Sequence, residues 1–281
     1  MGRVVIADPC IGEFGWELMS WQGYVRARAT GAEYSVVCST RGFEPIYANI
    51  NATFVPHSIE GQRDGLAMKP CSTPGKLQAA RNALNSYAFT AISCGHKVER
   101  LQLPKRLPIP LDQQEFFKYG TVDKTCAYEV IVHARNRQHS LPFGGANYPL
   151  HYWRYIIDAL YTAGYRRVAS IGSRDASHHV PNTDDLRGIK LRDLFNVLAS
   201  ARLVIGPSSG PMHLASLCGT PHLVWAGDRV QPIIRTTNKA RYEKLWNPFN
   251  TPVKVILEPT KGPVTRPEVI IAAMHKMLKG A

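Results

Sequence analysis

The sequence predicts an α/β protein of two lobes, each built on a parallel sheet flanked by helices. Short runs of Val, Ile and Leu alternate with longer segments of helical period, first over residues 3–57 and again, more regularly, from residue 128 onward. The 281 residues exceed the commonest single-core size and suit two lobes of roughly 120 to 160 residues each. Between the alternating regions, "LPKRLPIPLDQQEFFKYG" carries three prolines and reads as a linker or surface excursion. The boundary is therefore expected near residue 124, separating an N-terminal lobe, 1–124, from a C-terminal lobe, 125–281. Two lobes imply a cleft.

In order, "RVVIADP" is a strand, followed by the glycine-bearing loop "CIGEFG" and a helix, "WELMSWQGYVRARATG", closed by Gly31. "EYSVVCST" and "ATFVPH" are buried strands, with "RGFEPIYANI" between them expected as a helix. "GQRDGLAMKPCS" reads as loop and "TPGKLQAARNALNSYAF" as helix. The second alternation runs "YEVIVHARNR" (strand), "PLHYWRYIIDALYTAGY" (helix), "RRVASIG" (strand), "KLRDLFNVLASA" (helix), "RLVIGP" (strand), "PMHLASLCG" (helix) and "PHLVWAG" (strand). It closes with "VILEPT" and the helix "RPEVIIAAMHKMLKG", free by its pattern to pack on either lobe.

Composition narrows the functional class. With 44% hydrophobic and 20% charged residues and no low-complexity tract, the chain is not of the disordered type. It opens on a strand rather than an apolar signal region and holds no apolar stretch of bilayer length, so a cytoplasmic protein without an integral membrane segment is expected, monomeric or dimeric. The six cysteines stand singly, without a Cys-x-x-Cys pair, as buried free thiols do. A formal charge of +13 favours an anionic partner, DNA, RNA, a phosphorylated glycolipid or a nucleotide, unless it is simply a basic surface.

The most informative stretch is "VIGPSSGPMHLASLCGTPHLVWAG", a strand, tight turn, helix and second strand. Pro211 suits the first helical turn, and the amides that open a helix lack intrahelical acceptors, so together with the helix dipole they attract phosphate. Ser208 and Ser209 add hydroxyl donors, and Gly210 permits close backbone approach. The competing reading makes Ser209 an ordinary N-cap.

"SSGPMHLASLCGTP" resembles the nucleotide-sugar site of the lipopolysaccharide heptosyltransferase family, whose signature runs Asp-Ser/Thr-Gly-Pro-Met-His-Leu-Ala before a Gly-Thr-Pro turn. Ser209 through Ala215 and Gly219 through Pro221 match it. "NYPLHYW" and "LRDLFNVLASARLVIG" extend the likeness upstream to about residue 128. The resemblance implies a GT-B fold, two facing Rossmann-like lobes, with the donor in the C-terminal lobe contacted by Ser208, Ser209, Gly210, Met212 and His213. It departs at Ser208, where the family has Asp.

The resemblance also aligns Gly12 and Glu13 in "IGEFGWEL" with the family's Gly-Asp pair, implying that Glu13 is the catalytic base beside Gly12. Displacement at an anomeric carbon needs a base for the acceptor hydroxyl and positive charge for the leaving diphosphate. The other reading of Glu13 is an acid satisfying a helix dipole; Asp8 and Glu17 are reserve carboxylates. Arg135 and Arg137, just past a strand end, offer forks for phosphate oxygens or are solvated surface arginines, with Gly144-Gly145 suggesting a lid. His133 reads better as a core histidine than as a catalyst. Asp228 and Arg229 rank low. His178-His179 lack a third ligand and no Asp-x-Asp motif is present, so metal-independent chemistry is expected, with a nucleotide-diphosphate sugar as co-substrate and no cofactor.

For the acceptor, Trp16 and Arg41, with Trp21, Tyr24, Arg26 and Arg28, mix aromatics and cations near the proposed base, as a nucleic-acid surface does, although Trp16, Trp21 and Tyr24 also suit one buried helix face. In outline the chain is similar to phage enzymes that glycosylate hydroxymethylated bases in DNA, and that acceptor is the expectation, with inversion at the sugar. The alternatives are a lipopolysaccharide core acceptor and a noncatalytic nucleic-acid-binding protein on the same scaffold.

Overall fold

The computed structural model describes residues 2–59, 74–103, 109–125, 127–136, 147–228, 230–231, 236–258 and 265–280. The chain forms two compact units, Met1–Phe116 and Phe117–Ala281.

In the first unit, β1 (Arg3–Ala7), β2 (Tyr34–Thr40), β3 (Ala52–His57) and β4 (Lys97–Leu101) form a wholly parallel sheet in the order β3-β2-β1-β4. The crossover after β1 is one continuous helix that changes pitch: α1 (Phe14–Trp16), a π-helical turn (Glu17–Trp21), then α2 (Gln22–Ala29). Gly31, at φ +73°, follows it as the sequence predicts. On the sheet's other side, Val4, Ile6, Val36 and Cys38 pack with Ala80, Leu84 and Ala91 of α3 (Pro74–Ser93).

Two sequence expectations change here. "RGFEPIYANI" makes only a 3-10 turn, Glu44–Tyr47, because Gly42 (φ +91°) and Asn49 (φ +64°) reverse the chain at either end of it. β4 carries too few apolar residues to read as a strand; its Glu99 is instead neutralised by Arg3, at 2.7 Å, and by Arg28.

In the second unit, β5 (Val130–Val132) continues into the two-residue β6 (Ala134–Arg135), followed by α4 (Leu150–Thr162), β7 (Val168–Ser170), β8 (Ser177–His178), β9 (Asp184–Asp185), α5 (Leu191–Ser200), β10 (Leu203–Pro207) and α6 (Gly210–Cys218). Then come β11 (His222–Gly227), β12 (Val230–Gln231), β13 (Thr236–Thr237), α7 (Asn238–Ala240) running into a π-helical turn (Arg241–Leu245), β14 (Val253–Glu258) and α8 (Pro267–Lys279). The main sheet is parallel, in the order β14-β11-β10-β5-β7-β9. Counted along the chain, its strands lie sixth, fifth, fourth, first, second, third, the doubly wound Rossmann arrangement. β6 pairs with β8, and β12 with β13, as short antiparallel ribbons.

The core of this unit gathers Trp153, Ile156 and Leu160 of α4, Leu203, Ile205 and Trp225 of the sheet, and Ile270, Met274 and Leu278 of α8. The terminal helix thus packs against α4, within the second unit. The boundary expected near 124 lies at 116/117, because the intervening segment is bonded to the second unit. The Tyr119 amide donates to the Leu217 carbonyl (3.0 Å) and the Thr121 amide to Asn196 Oδ1 (2.9 Å). Gly120, at φ +82°, lies so close to the Phe195 carbonyl that a Cβ has no room. Residues 109–116 bond to the first unit, the Glu115 amide donating to the Gly23 carbonyl (2.9 Å). Among the described residues, no helix is long and apolar enough to cross a membrane.

Candidate functional site

In a doubly wound sheet, ligands bind outside the carboxyl ends of the strands where the winding reverses. That point in the second unit lies between β5, which pairs with β7 on one side, and β10 on the other. Two sequence-predicted features converge there: Arg135, three residues beyond β5, and the Ser208-Ser209-Gly210-Pro211 turn between β10 and α6. Gly206 lets these strands approach: a Cβ there would meet Met212 Sδ at 3.0 Å and the His133 carbonyl at 3.1 Å.

The turn is not a conventional cap. Ser209 occupies the N-cap position of α6, but its hydroxyl donates backwards to the Pro207 carbonyl at 2.9 Å and makes no bond to the helix amides. Pro211 sits in the first turn, and the helix closes at Gly219 in the left-handed region, φ +74°. Of the amides that open α6, Pro211 has none and those of Met212 and His213 donate to the Ser209 carbonyl (3.2 and 3.4 Å), so the turn offers the Gly210 amide at the positive end of the helix.

Sequence reasoning missed the side chains behind this turn. Arg241 and Tyr242, on the π-helical turn after α7, both reach Ser208: an Arg241 Nη donates to Ser208 Oγ at 2.7 Å, and Tyr242 Oη donates to it at 3.0 Å. Tyr242 Oη also accepts from the Ser209 amide at 3.2 Å. The guanidinium of Arg241 lies 5.2 Å from the Tyr242 ring centre and 5.1 Å from that of Trp246, cation–π distances. Arg241 thus borders the turn directly, and the Arg135 charge, just past the end of β5, is the weakest of the influences on the Tyr242 hydroxyl. The signal was the segment "RYEKLW", an arginine followed by two aromatics one crossover beyond the turn.

Met212 and His213, read from sequence as ligand contacts, are buried beneath the turn. His213 stacks on Tyr242 (4.5 Å, 14°) and meets Trp246 edge-on (4.6 Å). Burial, then the nearby Arg241 and His222, holds its pKa well below the ordinary value, so it packs as a neutral aromatic. His133 is also a core residue, its Nδ1 hydrogen-bonded with the Ile171 carbonyl at 3.1 Å. Asp228 is exposed beyond β11, with its amide bonded to the Glu258 carbonyl. His179 bonds the Thr183 carbonyl (2.8 Å), and the described residues contain no group of His, Cys, Asp or Glu arranged to hold a metal. Arg137, Gly144, Gly145 and Arg229 lie outside the described residues.

In the first unit, Gly12 and Glu13 are half-buried on the loop after β1, at the carboxyl edge of the sheet. Glu13 is the N-cap residue of α1, yet its side chain makes no cap bond; its carbonyl accepts from the Trp16 and Glu17 amides. Arg41 is exposed at the end of β2, and the Phe14 and Phe43 rings, 4.9 Å apart, join the two loops. Trp16 is buried and belongs to the core rather than to an open stacking surface. Asp8 is committed to Arg100 at 2.7 Å.

Glu17 is fully buried, its Oε1 accepting from Ser39 and, at 2.7 Å, from Tyr47. Desolvation pushes its pKa to about 7, against the pull of the Ser39, Tyr47 and Cys10 donors. Beside it, burial raises the thiols of Cys10 and Cys38, the latter to about 12. Glu17 is sealed from solvent, which leaves Glu13 as the accessible carboxylate of the predicted set.

No protein-family model matches the chain, and no curated protein sequence matches it. Solved structures do match over its whole length. It is similar to a glycosyl transferase of family 9 from Veillonella parvula, with 12% identity, 100% of this chain and 98% of that one covered, and a TM-score of 0.61. An ADP-heptose lipopolysaccharide heptosyltransferase II from E. coli aligns at 13% identity over 100% and 99% of the two chains, with a TM-score of 0.60. The E. coli heptosyltransferase WaaC, solved with ADP, aligns at 12% identity over 98% and 99%, with a TM-score of 0.58. The chain shares their fold, two Rossmann-like units of the GT-B class.

Proposed function

We propose that this protein is a glycosyltransferase that moves a sugar from a nucleotide-diphosphate sugar to a hydroxyl of an anionic glycolipid, the lipopolysaccharide core being the model acceptor. The observation that carries the reading is the β10–α6 turn at the switch point of the second sheet, where the Ser208 hydroxyl, the Gly210 amide and Arg241 meet and Arg135 follows the neighbouring strand. Such a concentration of hydrogen-bond donors and positive charge suits a leaving diphosphate. The fold likeness to the heptosyltransferases supports the same donor class and favours the glycolipid over the DNA base that charge alone suggested.

In this reading Glu13 takes the proton of the acceptor hydroxyl as its oxygen bonds to the anomeric carbon. The bond from that carbon to the diphosphate breaks, and the nucleoside diphosphate leaves with the electron pair. One displacement inverts the anomeric configuration. Arginine and amide charge at the turn assigns no step to a metal.

The test is a transfer assay with a panel of nucleotide sugars, run in parallel on truncated lipopolysaccharide and on duplex DNA containing hydroxymethylcytosine. Transfer to the glycolipid is expected. Transfer only to DNA overturns the acceptor, and absence of both transfer and donor hydrolysis across the panel overturns the enzyme. Glu13→Gln is expected to lower kcat by roughly a hundredfold or more with donor affinity unchanged, the range removal of a general base covers. Near-normal turnover removes Glu13 from the role.

A further inference from the structure

The bonds around Ser208 define a direction of proton donation. Its Oγ has two lone pairs and one hydrogen. Arg241 can only donate, and takes one lone pair at 2.7 Å. Tyr242 is fully buried, so its O–H needs an internal acceptor. Its oxygen already accepts from the Ser209 amide, and its proton goes to the second lone pair of Ser208, 3.0 Å away. Burial raises the pKa of Tyr242 and keeps that proton in place. The Ser208 hydrogen is thereby turned away from the cluster. Ser208 is half-exposed, unlike the residues behind it, and so faces out from the carboxyl end of β10.

We infer that Ser208 is a hydrogen-bond donor to a phosphate oxygen of the nucleoside diphosphate, its acceptor capacity saturated from behind by Arg241 and Tyr242. This rests on the donor site proposed above and adds which atom recognises the phosphate and with what polarity. Arg241 and Tyr242 are positioning residues: they need not touch the ligand, and they orient and polarise the hydroxyl that does. A carboxylate at the same position, the residue expected from the resemblance, can only accept, so serine turns this position from an acceptor into a donor. With serine, the turn presents the Ser208 hydroxyl as a donor beside the Gly210 amide.

The test is calorimetric titration of the whole protein with ADP, UDP, the matching monophosphates and the free nucleosides. Ser208→Ala is expected to weaken nucleoside diphosphate binding about tenfold, what one hydrogen bond to a charged group contributes, while nucleoside binding stays as in the wild type. Ser208→Thr, which keeps the hydroxyl, is expected within about threefold of wild type by the same measure. Ser208→Asp, which keeps an acceptor for Arg241 and Tyr242 but loses the donor, is expected to weaken diphosphate binding about tenfold by the same measure. Tyr242→Phe frees a lone pair on Ser208 and is expected to weaken diphosphate but not nucleoside binding. An alanine variant that binds diphosphate as tightly as wild type, an aspartate variant that binds it more tightly, or equal losses for diphosphate and nucleoside overturn the inference and leave the donor site standing. A wild-type protein that binds no nucleoside diphosphate overturns the donor site itself.

Discussion

Replacing Glu17 with Gln tests the interior of the first unit through pH. Glu17 is fully buried, and desolvation raises its pKa from 4.5 to about 7. The groups facing it are the Cys10 thiol from the loop after β1, Ser39 from β2, Tyr47 from the 3-10 turn, and Cys38 one residue before Ser39 on β2. His57 lies one bond further out, its Nε2 2.8 Å from the Cys10 carbonyl, and burial lowers its pKa. The thiols stay protonated over the range of interest, so Glu17 supplies the charge that changes inside this cluster. An unfolded chain releases the Glu17 proton near pH 4.5, whereas the folded chain holds it until about pH 7. The unfolded state therefore binds fewer protons between these values, and stability falls as pH rises through that window and levels off above it. Each pKa unit is worth about 1.4 kcal/mol, so wild type loses about 2 to 3 kcal/mol through Glu17 between pH 5 and pH 8. Gln keeps the shape and cannot ionise. The assay is urea denaturation of wild type and Glu17→Gln at pH 5, 6, 7 and 8. The variant is expected to gain on wild type by that amount toward pH 8, other groups cancelling in the difference. A stability difference flat with pH to within about 0.5 kcal/mol refutes the raised pKa and with it the sealed carboxyl.

His213 and His222 are fully buried, and burial lowers both pKa values, that of His222 to about 4. Their ring resonances are expected not to titrate between pH 8 and 5, and each contributes stability that is lost as pH falls below 6.5 toward the folded value; a midpoint near 6.5 in an NMR titration refutes the packing role of His213. Trp225→Ala removes a ring held 5.2 Å from Tyr148 and 5.3 Å from Trp153 and is expected to cost about 3 to 5 kcal/mol in chemical denaturation. Gly219→Ala forces a Cβ into a left-handed position already occupied by the Lys118 side chain and is expected to cost about 1 kcal/mol or more, read as a lowered melting temperature. Arg135→Ala is expected to weaken nucleoside diphosphate binding by about tenfold without changing stability; unchanged affinity places that arginine outside the site.

Much of this architecture was legible in the residue order. Strands such as "RLVIGP" and "PHLVWAG" are buried on both faces of a parallel sheet, so their apolar runs and the helical period of α4, α5 and α8 survive any tertiary detail. The turn at Ser208 to Pro211 was legible too, because proline at the first helical position and glycine at the close are local demands of the backbone. Other features were decided only by distant contacts. β4 is a strand because β1 and two arginines complete it, and its own composition says nothing of the kind. Residues 117–123 belong to the second unit because of bonds to residues some 75 positions away. His213 and Met212 look like ligands beside a polar turn, yet the helix turns their side chains under it. Arg241 and Tyr242 stand more than 30 residues from Ser208, and the segment "RYEKLW" shows a cation among aromatics without saying what it meets; the crossover after β11 returns them to its hydroxyl. Local backbone preference and hydrophobic period are written in neighbouring residues, whereas the polarity of a site is the sum of protons and charges that folding brings together from far apart.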